Sequence, residues 1–179
     1  MSSKVKFIFC ALALGLNLAA QTAASLKSKI TDAIQDPNRA PRAEFWRSLG
    51  KNAPKAILEI YRSDKNIHHR VRLLEAMGNF DAPAITAELK RETEDKSNSV
   101  VRNTAIRSLA QSQGMKEGAV LRTFLTHPDP QTRLQTAQAL RRINDPTAQK
   151  AVDEFLAQEK TPWVAQGVPE NPISKPSEP

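Results

Sequence analysis

The stretch Asn98-Ser99-Val100-Val101-Arg102-Asn103-Thr104-Ala105-Ile106-Arg107-Ser108-Leu109-Ala110 decides the fold of this chain. Val101, Ala105, Ile106 and Leu109 fall at helical spacing and share one apolar stripe. Asn98 stands just ahead of that stripe, where its side-chain oxygen can accept an orphan backbone N–H and start a helix. The same frame recurs: an Asx, an Arg four residues later, and an apolar residue seven after that. The other copies are Asn38…Arg42…Leu49, Asn66…Arg70…Met77 and Asp129…Arg133…Leu140, with Arg-to-Arg steps of 28, 32 and 31 residues. Each copy has a further apolar residue three before its last: Trp46, Leu74, Ile106 and Ala137. A near-constant period of this kind marks repeated helical units that stack to bury a shared core.

A second set of helices alternates with the first. Leu26–Ile34, Ala56–Tyr61, Ala84–Leu89 and Ala119–Leu125 carry its apolar positions. Asn52 with Pro54, and Asp81 with Pro83, read as starts, while Gly50 and Gly78 read as stops. The spacing predicts helix pairs at about 25–50, 53–78, 82–111 and 116–142. Asp145-Pro146 then opens a lone helix at about 146–159, with Ala148, Val152, Phe155 and Leu156 on one face. One buried face and one wet face are what a terminal cap needs. Residues 160–179 hold five Pro from Pro162 onward and no apolar period, so an extended mobile tail is expected.

The first 24 residues read as an address. Lys4 and Lys6 precede an apolar run, Phe7–Ala20, broken by Asn17, and the small residues Thr22 and Ala24 favour cleavage after Ala24, with Ala20 as the alternative. The apolar run is shorter than the ~20 residues a membrane span needs. Cys10, the only cysteine, lies inside this run, so a mature chain from Ser25 has none, which suits a periplasmic or secreted protein. Losing Lys4 and Lys6 lowers the formal charge from +7 to +5. Aromatic residues are only 5%, which argues against a β-sandwich.

The frame resembles the second helix of a HEAT-like repeat, in the short bacterial form similar to that of phycobilin lyases. There the turn and helix read roughly Asp-x-x-Val-Arg-x-x-Ala-x-x-x-Leu-Gly. Asn98–Ala110 is the best copy, the stretch from Asp129 the next, and the likeness covers about residues 25–159. The first copy departs from it, with Pro41-Arg42 in place of Val-Arg. Tetratricopeptide repeats are the rival, through Trp46-Arg47-Ser48-Leu49-Gly50. Asn52-Ala53-Pro54 follows that motif at once and reads as a new cap, whereas the rival needs the helix to continue. The resemblance implies an all-α fold: a right-handed α-solenoid of four HEAT-like helix pairs plus a C-terminal cap helix.

It also implies that Arg42, Arg70, Arg102 and Arg133 form a column, each pairing with acids of neighbouring turns, for which Asp36, Asp64, Asp95 and Asp129 are placed. The other reading of that column is a basic ladder for an anionic ligand. The second helices of such arrays form the concave binding face. On that face would lie Arg47, Arg72, Arg107, Arg141 and Arg142, with Glu44, Glu75, Asn103, Gln135 and Gln138. Of these, Arg47, Arg72, Glu75, Arg107, Gln135, Gln138 and Arg142 are the expected partner-binding residues.

No residues are assigned to catalysis, to a cofactor or to a metal. His68 and His69 are adjacent and point to different helix faces, and His127 sits beside Pro128. No Gly-x-Ser-x-Gly elbow occurs. Nucleic acid is a poor fit, because the basic residues lack interleaved aromatics. The expected function is therefore binding without catalysis: a monomeric adaptor, scaffold or inhibitor for another protein, one with an acidic surface. An enzyme subunit of the lyase type and a structural envelope spacer are the alternatives.

Overall fold

The computed structural model describes residues 21–36 and 40–172. Residues 1–20 of the expected 24-residue leader and the Asx at Asn38 therefore lie outside the described residues. The described part is all-α, with no strand among those residues. None of its helices is long and apolar enough to cross a membrane. The described residues divide into two compact units, one ending at Asp64 and the other beginning at Lys65.

The first unit holds α1 (21–35), α2 (Ala43–Ser48) and α3 (Ala53–Ser63). Ile30 and Ile34, one turn apart on α1, are buried, as are Trp46 of α2 and Ala53, Ala56, Ile57, Leu58 and Tyr61 of α3. Phe45 meets Trp46 edge-on at 5.1 Å, the arrangement aromatic quadrupoles favour. Gly50 lies between α2 and α3 with φ +80°, a conformation that costs other residues about 1–2 kcal/mol. Asn52 begins α3, as expected, but its side chain makes no cap hydrogen bond.

The second unit holds α4 (Ile67–Met77), α5 (Pro83–Thr93), α6 (Ser99–Gln113), α7 (Gly118–Thr123), α8 (Pro130–Arg141), α9 (Pro146–Gln158) and α10 (Pro162–Gln166). Four starts are capped as their sequences imply. Asn66 accepts from the His68 N–H, Asn98 from Val100 and Val101, Asp129 from Gln131 and Asp145 from Thr147. Asp81 does not cap α5; it accepts instead from Gln113 and Lys116. The helix expected near 116–125 is shorter, because 3₁₀ turns at Gly114–Glu117 and Phe124–Thr126 flank α7.

α4 packs on α6 and α6 on α8, while α5 lies against α6, and α7 and α9 against α8. α6 is the centre of this unit, with Val101, Ala105, Ile106 and Leu109 buried as their spacing requires. Gly78 closes α4 in ordinary right-handed geometry, so its use is not φ. A Cβ there would stand 3.2 Å from Ser108 Cα, so glycine lets α4 and α6 approach closely. At the other end of the row, the buried amide of Gln149 donates to the carbonyls of Leu140, Arg141 and Ile143, at and just past the end of α8.

Leu109 is fully buried between these helices. Leu109→Ala should lower the unfolding free energy by about 2–5 kcal/mol in urea titration, because the cavity cannot collapse in so central a helix. A loss under about 1 kcal/mol would show that α6 is not the core element its burial indicates.

Candidate interaction face

Three arginines build the platform. Arg102 is 7% exposed. Its Nη1 donates to the Asp95 carbonyl, in the turn before its own helix, at 3.0 Å. Its Nη2 reaches forward to Asp129 Oδ2 at 2.8 Å, and Nε and Nη2 both donate to Thr132 Oγ1. Arg133 repeats the pattern one step on. Its Nη1 donates to the carbonyls of His127 and Pro128, and Nε and Nη2 grip both oxygens of Glu159 at 2.7 and 2.9 Å. Arg70 donates to Glu92 at 3.3 Å. Planar forks of this kind suit paired carboxylate and carbonyl acceptors in partly buried turns. Asp129 serves the column by its carboxylate as expected, whereas Asp95 meets Arg102 by its backbone carbonyl, and Glu92 and Glu159 lie outside the expected set. Arg42 sits exposed at the start of α2, where its side chain forms no cap.

Charge follows the geometry. Burial alone would raise the Asp129 carboxyl, but hydrogen bonds from Thr132, the Gln131 N–H and Arg102 outweigh it and hold its pKa below the usual aspartate value. The Arg133 fork draws Glu159 down to about 2, helped by the Thr161 N–H and hydroxyl.

Arg70, Arg102 and Arg133 set the register of the remaining positions. Arg72, Thr104 and Gln135 then correspond, as do Glu75, Arg107 and Gln138, and Asn79, Gln111 and Arg142. Between α4 and α6 these rows meet: Glu75 and Arg107 pair at 3.7 Å, and Gln111 donates to Asn79 at 3.2 Å. Arg107 also donates to Thr104 at 3.3 Å. Arg142 is exposed at the end of α8, and Arg72 and Gln135 are half-buried. Arg47 is exposed on α2, in the other unit. Two residues expected on the face belong to the interior. Asn103 is 8% exposed and accepts from Thr132, and Arg141 is 5% exposed and bound to Gln149, Asp153 and the Pro169 carbonyl.

The expected extended tail is corrected over residues 162–172. Val164 of α10 is fully buried, Gln138 donates to the Gly167 carbonyl at 2.7 Å, and Asn171 donates to Asp153. Gly167 lies so close to α8 that a Cβ would be 2.9 Å from Leu134 Cδ1. Leu134, Gln138 and Arg141 form the side of α8 that corresponds to the side of α6 covered by α8. The segment therefore ends the row by taking the place of a further helix, and it occupies Gln138. The one valine and one glycine that dock it left too little pattern to be found among five prolines.

Among the described residues no three His, Cys, Asp or Glu side chains cluster as metal ligands. No protein-family model, curated protein or solved structure matches the chain.

Two outcomes test this geometry. Deleting residues 162–179 should lower the melting temperature by several degrees, because Val164 and Leu134 lose their cover; an unchanged midpoint would mean that α8 needs no cap. Glu159 has its pKa depressed from 4.5 to about 2, so its contribution is full above 4.5 and fades as pH falls toward 2. Wild type should exceed Glu159→Gln in urea stability near neutrality, with a gap that closes across that acid range. A gap that is the same at both ends would place the stabilisation elsewhere.

Proposed function

We propose that this chain is a non-catalytic binding module, an exported adaptor, scaffold or inhibitor that holds a protein partner on the face of α4, α6 and α8. In this reading the fold is a right-handed HEAT-like α-solenoid, whose repeats are the Asx–Arg–apolar frames and whose cap is α9 with the segment after it. The observation that carries the reading is the cross-helix pairing of Glu75 with Arg107 and of Asn79 with Gln111. Polar side chains from successive helices are held in one surface by a partly buried arginine column. Extended surfaces of that kind are what stacked helical repeats bind with.

The charge on the face supports an acidic partner. Arg72, Arg107 and Arg142 outnumber Glu75 there, and the exposed Arg107–Glu75 pair contributes little to stability on its own. Its value lies in complementarity, which steers encounter and weakens with salt. Export rests on residues 1–24, with their basic start, apolar run and small residues at the cut. The chain acts as a monomer in this reading.

The test is capture in the native cell. The full chain with a C-terminal tag, crosslinked in the envelope fraction, should retain one protein that the triple variant Arg72→Glu, Arg107→Glu, Arg142→Glu loses. Circular dichroism of the variant should match the wild type. If both chains retain the same mixture, or none, the face is not a binding surface.

A further inference from the structure

A groove of about 560 Å³ lies on another part of the second unit, between the Phe124–Thr126 turn with His127 and the C-terminal half of α9. Its floor is apolar: Leu125 is 6% exposed, and Ala151 and Phe155 are half-buried. Its volume falls within the range of small-molecule sites, which combine an apolar lining with a few placed polar groups.

The polar groups around it are unequal in sign. Arg133 and Glu159 both line the groove, but they satisfy each other through two hydrogen bonds and add no net charge. Glu154 lies 3.7 Å from Lys150 on its own helix. Arg122 is half-buried and makes no side-chain hydrogen bond or ion pair among the described residues, and neither does Lys160 at the rim. Arg122 Nη1 and Asp145 Oδ2 stand 3.6 and 3.9 Å from the point a Gly118 Cβ would occupy, yet no ion pair joins them. His127 adds a third donor: its Nδ1 accepts from the Asp129 N–H at 3.0 Å, so the neutral ring carries its proton on Nε2. A guanidinium, an ammonium and an imidazole N–H thus border an apolar floor, and none of the three is paired with a carboxylate among the described residues.

We propose that this groove is a binding site for a small organic monocarboxylate with an apolar body. The carboxylate would sit against Arg122, His127 and Lys160, and the apolar body would lie on Phe155 and Leu125. A half-buried arginine pairs more strongly with a carboxylate than an exposed one does, because water screens it less.

The experiment is a titration of the full chain with 3-phenylpropionate, followed by amide and side-chain NMR shifts. Saturable shifts should centre on His127, Phe155 and Lys160. The uncharged analogue 3-phenylpropanol should bind at least about tenfold more weakly. Arg122→Gln should lose about tenfold in affinity while keeping the wild-type melting curve, since that side chain makes no hydrogen bond or ion pair among the described residues. Lys160→Gln, at the exposed rim, is the second variant and should lose a smaller factor. Absence of saturation at millimolar probe, equal binding of the alcohol, or shifts that centre on α4 and α6 would each overturn the proposal. So would binding of a capped Phe-Glu peptide where 3-phenylpropionate fails, because the site would then read a protein side chain. The capture experiment on the α4–α6–α8 face involves none of these residues, so each reading stands or falls alone.

Discussion

The Arg102 guanidinium is the contact on which the second unit depends. It joins three elements at once: the turn that ends before α6, the helix itself, and the first turn of α8. Thr132, its partner hydroxyl, is fully buried, and that hydroxyl faces two acceptors at 2.8 Å, on Asn103 and Asp129. It has one proton and donates to one of them at a time. Asp129 meanwhile divides its two oxygens: Oδ1 caps the Gln131 N–H while Oδ2 takes Arg102. A helix start and a helix–helix contact therefore share one carboxylate. Buried polar networks of this sort are costly unless every member is satisfied, and here the members named are.

Arg70 and Arg133 extend the same device in both directions, and their differences follow the row. Arg133 finds a bidentate partner because the side chain of Glu159, at the end of α9, is only 4% exposed and presents both oxygens. Glu159 also accepts from the Thr161 N–H, so the last rung fixes the point where the chain leaves α9 for α10. From there Val164, Gly167 and Pro169 lie along α8. The row of α4, α6 and α8 ends because its final side is covered by the chain that follows it.

That architecture separates the contacts that hold the helices from the polar pairs that face outward. The buried forks and the apolar stripe of α6 hold the helices in register, and the outward pairs contribute little energy. Residues such as Arg107 and Glu75 are therefore free to vary in charge without unfolding the platform. Surfaces supported in this way keep their geometry in solution, which lowers the ordering cost of binding a partner.

How much was legible in the sequence depends on the reach of each interaction. The caps at Asn66, Asn98, Asp129 and Asp145 close hydrogen bonds to N–H groups two or three residues away. Such contacts are written in consecutive residues, so the helix starts, the apolar stripe and the arginine period were readable from sequence alone. The partners of those arginines were not: Arg70 meets Glu92 22 residues on and Arg133 meets Glu159 26 residues on, outside the repeated frame. Asp81 shows the same limit, since a good cap by sequence is taken by Gln113 and Lys116, more than 30 residues away. Asn103 and Arg141 went inside, and the segment from Pro162 docked on α8, for one reason. Which face of a helix is covered is settled by the element that packs on it. The sequence by itself determined the helices and the period of their Asx and Arg positions; the tertiary structure decided which polar residues became interior, where the row ends, and which side chains share a face. Local hydrogen bonds need only neighbours in the chain, whereas these choices depend on how distant helices come together.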